Sequence, residues 1–231
     1  MNVAYHLTRN YYPYLLPAIM SLLEHNPKVR KIYIFCEDDE FPYELPKQCK
    51  VINVSGQEYI SHKSPNWNNW FSWICLTKVC DGKYLPRVNR LLQLDVDTIV
   101  CDDLSEMYNM DMGDNWLAMV DEKRGPYHPY GKYYFNAGVV LVNLKQMRAD
   151  GADDKMIEFL NTTKVNYIEQ DAYNLIGKGR IIELDQRYNE CRATYNSDNP
   201  AVVHFVGYKQ HWLPNVPRVE FYNKYKKYER L

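Results

Sequence analysis

No apolar run in this chain approaches the roughly 20 residues that cross a bilayer. The longest outside a strand-like context, YLLPAIMSLL, ends after about ten residues and contains Pro17, so no transmembrane helix is expected. The opening MNVAYHLTRN also lacks the basic start and apolar run of a secretion signal, because His6, Arg9 and Asn10 interrupt it. The six cysteines, at 36, 49, 75, 80, 101 and 191, contain no C-x-x-C pair. Neither a zinc site nor a disulfide framework is indicated, and free thiols in a reducing cytosol are expected. Net charge is nearly absent, at 28 Lys+Arg against 29 Asp+Glu, which leaves no broad field for holding nucleic acid. Repeats and low-complexity linkers are missing as well.

What is present is one domain's worth of ordinary globular composition: 231 residues, 46% hydrophobic and 25% charged. The charge is unevenly placed. Residues 209–231 carry six Lys/Arg against two Glu, a net +4, which leaves −5 on the rest. Tyrosine is abundant, at 21, and suits half-buried positions beside polar surfaces.

Strand and helix patterns alternate. Strands are expected over residues 2–7, 30–36, 50–54, 90–95, 116–120, 135–143, 180–184 and 202–206. Helices are expected over 13–25, 69–80, 153–160, 170–176 and 221–228. Asp103, ahead of LSEMY, reads as a helix cap. The first strand, helix and strand imply parallel pairing through a crossover. The whole reads as a single α/β domain with a mixed, mostly parallel central sheet flanked by helices.

The chemistry concentrates where RLLQL runs into Asp95-Val96-Asp97. Carboxylates at the end of a buried strand need compensation, and the nearest cations in sequence, Arg87 and Arg90, lie before the strand. A divalent cation such as Mn2+ or Mg2+ suits hard oxygen ligands and can neutralise a diphosphate. A solvated turn is the competing reading of D-x-D alone.

LLQLDVDTIV resembles the D-x-D segment of glycosyltransferase family 8, retaining nucleotide-sugar transferases of GT-A fold. Further segments agree in order: HLTRNYY, CLTKV, YFNAGVVLVNLK, EQDAYN and HFVGYKQHW. The resemblance spans about residues 1–212, leaving 213–231 as a basic, Tyr-rich tail expected to be helical and packed on the domain. It implies nucleotide contacts by Leu7, Thr8, Asn10, Tyr11 and Val96. It places Lys78, Asn136, Ala137, Gly138, Gly207 and Lys209 at the donor sugar and diphosphate. Asp95, Asp97 and His204 become ligands of Mn2+, with Mg2+ as the alternative, and Glu169, Gln170 and Asp171 lie at the reaction centre. Two departures stand out. Glu169 replaces the Asp of many members, and Lys209 precedes the family lysine position, which Gln210 occupies, with His211 in place of proline.

The implied activity is transfer of glucose or galactose from a UDP-sugar to an acceptor hydroxyl of a glycan, lipid-linked sugar or protein. The alternative is a self-glycosylating or nucleotide-sugar-binding protein. A cytoplasmic location is expected, with peripheral contact to the inner membrane face through the tail at most; nucleic acid is not an expected partner, and a homo-oligomer stays open. Several segments keep two readings. Asp171 can simply complement a helix start, Gly138 can mark a bulge or close backbone approach, and Lys78 can snorkel. Of Trp67, Trp70, Phe71 and Trp73, an acceptor platform and core packing are both readable, core packing being the expectation for Trp70 and Trp73. Residues 121–132 read as a lid or acceptor loop.

Overall fold

A computed structural model of the chain describes residues 1–122, 133–191, 197–207 and 216–230. Its strands are β1 (Asn2–His6), β2 (Lys31–Cys36), β3 (Cys49–Asn53), β4 (Leu91–Leu94), β5 (Thr98–Val100), β6 (Leu117–Asp121), β7 (Phe135–Val142), β8 (Ile181–Glu183) and β9 (Val202–His204). The helices are α1 (Tyr12–His25), α2 (Asp81–Tyr84), α3 (Ser105–Asn109), α4 (Leu144–Asp150), α5 (Ala152–Thr162), α6 (Ile168–Ile176) and α7 (Val219–Asn223). Seven strands form one sheet in the order β3-β2-β1-β4-β7-β6-β8, and β5 pairs with β9 apart from it. Within the seven, only β7 runs against its neighbours β4 and β6; the other pairings are parallel. The mixed, mostly parallel sheet is thus as expected.

Alternation along the strands divides the core between the two faces of the sheet. Val3, Tyr5, Ile32 and Ile34 pack with Leu15, Ile19 and Leu22 of α1. Ala4, Phe35, Leu91 and Val140 face Leu76 and Val79, together with Leu160 of α5 and Tyr173 of α6. β7 is buried over all but its first residue, as a central strand covered on both sides should be.

Several elements differ from expectation, the short β5 and α2 being unexpected additions. The helix expected over 69–80 is a 3-10 helix over Trp73–Cys80. Ile74, Thr77 and Val79 are β-branched and weak helix formers, and the Thr77 hydroxyl donates to the Ile74 carbonyl at 2.6 Å, three residues back. The terminal helix is split into α7 and a 3-10 turn over Lys226–Tyr228. Tyr222 and Tyr225, three apart, both turn into a small core with Ile99, Val203 and Phe205, while Lys224, Lys226 and Lys227 stay exposed. Helix α4 was not expected. Asn143 caps it by accepting from the Gln146 N–H at 3.2 Å, and Gly151, at φ 62°, ends it in the left-handed region.

Candidate active site

Three chain segments meet at one edge of the sheet. Val3 sits beside Leu92 and Ala4 beside Gln93, so the chain leaving β1 at Leu7 emerges next to Asp95. β7 runs the other way and delivers its first residues to the same edge, where the Asp95 N–H donates to the Gly138 carbonyl at 2.8 Å. A tight turn follows, closed by the Thr98 N–H and hydroxyl, which both donate to the Asp95 carbonyl at 3.2 and 2.7 Å. Thr98 pairs with His204 across β5 and β9, and the Phe205 N–H donates to the Asp97 carbonyl at 2.9 Å.

Folding thereby brings Asp95, Asp97 and His204 together, with one potential ligand atom of each within 4.8 Å of the others. The His204 Nε2 lies 3.3 Å from Asp97 Oδ1 and 3.7 Å from Asp95 Oδ2. A relay of amides sets the ring's orientation. Asn136 Nδ2 donates to Glu122 Oε1 at 2.8 Å, Asn189 Nδ2 donates to Asn136 Oδ1 at 2.8 Å, and Asn189 Oδ1 stands 3.0 Å from His204 Nδ1. An amide oxygen can only accept, so Nδ1 carries a proton and Nε2 is the atom aimed at the carboxylates. Burial opposes a charged ring here, but Asp97 and then Asp95 outweigh it and push His204 up to about 10. A buried site in which a proton already sits between one imidazole and two hard carboxylates suits a divalent cation in that proton's place.

The N-A-G segment has a steric reason. A Cβ on Gly138 would collide with the His204 ring, and β6 and β7 shift register between Met119 and Val120 opposite. Both the bulge and the close approach read from the sequence are therefore present. Asn136 and Ala137 are buried beside it.

Lys78 is buried rather than snorkelling. Its Nζ donates to Asp95 Oδ1 at 2.5 Å and Glu169 Oε1 at 3.0 Å, with the Ala137 carbonyl at 3.5 Å. Burial opposes its charge, yet Asp95 and Glu169 hold it well above the ordinary lysine value. Burial would raise Asp95, but Lys78 and His204 hold it below the usual carboxylate range, whereas burial of Glu169 prevails and raises it. A floor of polar groups supports the lysine. Gln93 Nε2 donates to the Lys78 carbonyl at 3.0 Å and to Asp81 Oδ2 at 2.9 Å, and the Tyr173 hydroxyl donates to Gln93 Oε1 at 2.9 Å. His6 lies on this floor, with Nε2 3.1 Å from Asp81 Oδ1 and Nδ1 3.0 Å from Thr77 Oγ1.

Glu169 and Gln170 enter from the first turn of α6. Gln170 Oε1 accepts from the Ala137 N–H at 2.9 Å and its Nε2 donates to Glu122 Oε1 at 3.2 Å, a structural reason for glutamine that its sequence position had not suggested. Asp171, fully buried, accepts from the Asn166 and Tyr167 N–H groups at 3.0 Å each and from the Tyr134 hydroxyl. Its carboxylate holds the start of α6, in keeping with the helix-start reading. Ile168, immediately before Glu169, has φ 34°, a strained position for a β-branched residue.

The remaining expected contacts are placed as follows. Leu7 is buried, Thr8 and Tyr11 are half-buried and Asn10 is exposed, all at the exit of β1. Val96 is buried between the two aspartates. Gly207 is exposed with φ 65°. Lys209, and the loop expected over 121–132 from residue 123 onward, lie outside the described residues. Sequence reasoning missed Glu122, Asn189, Gln93 and Asp81. Only Glu122 had a signal: WLAMVDE, like RLLQLDVD, is an apolar run ending in acids.

The model of the Glycosyl transferase family 8 family matches residues 2–215. Among curated relatives, the glycosyltransferase GlyD of Streptococcus pneumoniae is 28% identical over 88% of this chain and 28% of its own length. The lipopolysaccharide glucosyltransferase WaaO of Escherichia coli is 24% identical over 92% of this chain and 72% of its own. The chain spans between 28% and 63% of the lengths of the first curated relatives it matches. Among solved structures, the galactosyltransferase LgtC, in complex with donor and acceptor sugar analogues, superposes with a TM-score of 0.75 at 21% identity, covering 100% of this chain and 97% of that one. That likeness shows the GT-A fold. No helix among the described residues is long and apolar enough to cross a membrane.

Proposed function

The chain belongs to glycosyl transferase family 8, and on that premise we propose that it moves a hexose, glucose or galactose, from a UDP-sugar to an acceptor hydroxyl with retention of configuration. The observation that carries this reading is the convergence of Asp95, Asp97 and His204 within 4.8 Å at the sheet edge where β1 and β4 end and β7 begins. These three residues would hold Mn2+, or Mg2+, which when bound supplies positive charge to the departing diphosphate.

The chain's own residues account for the rest. Leu7, Thr8, Asn10, Tyr11 and Val96 line the exits of β1 and β4, where the nucleotide is expected; ligands of open α/β sheets sit beyond such strand ends. Asn136, Ala137 and Gly138 would lie beside the sugar, with the Asn136 amide held by Glu122 and Asn189 and Gly138 making room for the His204 ring. Gln170, fixed by Ala137 and Glu122, faces the donor as a polar group and is a poor nucleophile. This favours a front-face displacement: the bond between the anomeric carbon and the phosphate oxygen breaks, the acceptor oxygen bonds to that carbon, and its proton passes to the departing phosphate. Lys78 keeps the Asp95 and Glu169 carboxylates in place; Lys209 and Gly207 would reach the diphosphate from the segment after β9.

A thermal-shift panel of nucleotide sugars with and without Mn2+ tests the reading. UDP-sugars should raise the melting temperature only when Mn2+ is present, and Asp97→Asn should abolish that gain. No shift with any nucleotide sugar would overturn it.

A further inference from the structure

Trp70 is 99% exposed, against the core packing expected of it. Phe71 beside it is also exposed, and two adjacent exposed aromatic rings on a segment held by hydrogen bonds point to a binding role. The segment is indeed pinned. Buried Asn66 donates to the carbonyls of Leu160 at 2.8 Å and Thr163 at 2.7 Å and accepts from the Val165 N–H at 3.0 Å. Asn69 Nδ2 donates to the Val165 carbonyl at 3.2 Å, and the Trp70 N–H donates to Asn69 Oδ1 at 2.6 Å. Trp67 is stacked between His62, at 4.2 Å, and Trp73, at 5.0 Å. Trp67 and Trp73 thus brace the segment, and Trp70 projects from it.

The exposed rings lead to the site. Phe71, 45% exposed, lies 6.1 Å from the ring of Tyr167, which lies 6.2 Å from Tyr134. Tyr167 immediately precedes α6, two residues before Glu169 and three before Gln170. Residues 59–72, YISHKSPNWNNWFS, contain no acid and one lysine, and Asn68 beside the rings is exposed. Neutral aromatic faces flanked by amides suit an uncharged ring with apolar C–H faces and hydroxyl edges; an anionic lipid or a nucleic acid would call for a basic surface.

We infer that Trp70 and Phe71, with Tyr167, form a platform on which a pyranose ring of a neutral glycan acceptor stacks, delivering its hydroxyl toward Gln170. The inference rests on the transferase reading, and its test separates the two. With Mn2+ present throughout, methyl glucoside, methyl galactoside and lactose are titrated in the presence of UDP while tryptophan emission is followed; UDP release from UDP-glucose and UDP-galactose is measured with and without each glycoside. At least one glycoside should shift the wild-type emission. Trp70→Ala should raise its KM by roughly three- to tenfold, the scale of one lost stacking contact, with a much smaller change in the KM of the UDP-sugar. Trp70→Phe should restore most of the loss. An emission unmoved by every glycoside, an unchanged glycoside KM in Trp70→Ala/Phe71→Ala, or an equal rise in both KM values would overturn the platform. Absence of UDP release from wild type with any donor would instead count against the transferase reading, while the emission titration, which needs no turnover, still decides on the platform.

Discussion

The imidazole of His204 lies against the backbone of Gly138 where a methyl group would have to sit. Gly138 therefore serves the candidate metal site through its missing side chain. Gly138→Ala must push the ring away or distort β7, whose next residues are central in the sheet. Mn2+ affinity, measured by the electron paramagnetic resonance of the free ion, should fall at least about tenfold. Wild-type affinity in that variant would show that the ring is not held there.

That relationship marks how far the sequence could be read. Asp95 and Asp97 were legible because an apolar strand running into two carboxylates is locally costly, and that cost is visible in consecutive residues. His204 and Gly138 were legible only as members of separate motifs; their contact joins residues 66 positions apart and leaves no local trace. Glu122, Asn189 and Gln93 are single polar residues whose meaning comes from partners on other strands. The 3-10 helix over Trp73–Cys80 shows the converse failure, since its apolar spacing suits either helix type and side-chain branching decides between them. Trp70 was misread because its neighbours Trp67 and Trp73 do brace the segment, and periodicity gave no sign of which ring would be left outside.

Asn189 is buried and links Asn136 to His204. Asn189→Ala removes the acceptor that holds the Nδ1 proton, so the ring loses its fixed orientation. Residues that orient a metal-binding histidine typically contribute roughly 10- to 100-fold to metal affinity. A drop of that size is expected in Mn2+ binding, and in a His204→Ala background Asn189→Ala should add little further. Fully additive losses would mean that Asn189 acts independently of His204.

His204 also predicts a pH dependence. The carboxylates of Asp97 and Asp95 overcome burial and raise the ring to about 10, so the apo site holds a proton throughout the neutral range. A cation must displace it. Mn2+ binding at pH 7 should release about one proton, seen calorimetrically as an apparent enthalpy that varies with the ionisation enthalpy of the buffer. Between pH 9 and pH 6 the apparent affinity should weaken by about tenfold per unit. Binding with no proton release would contradict the assignment of His204 as a ligand.

Asp153 gives a stability prediction away from the site. It is 2% exposed, and among the described residues neither side-chain oxygen has a hydrogen-bond partner; it lies over Gly82, where a Cβ would collide with it. Burial pushes its carboxyl up to about 6, against weaker opposing effects of Lys83 and Arg148. Because the folded value lies above the unfolded one, the protonated carboxyl favours the fold. Its contribution is complete below about pH 4 and is lost as pH rises through about 6. Two units correspond to at most roughly 3 kcal/mol. Asp153→Asn keeps the shape and cannot ionise. In urea unfolding it should therefore be more stable than wild type by about 2 kcal/mol at pH 8, with that advantage shrinking steadily between pH 6 and pH 4. A difference between the two proteins that is constant across this range would mean that Asp153 is ionised at no cost, and that a partner or water compensates its burial.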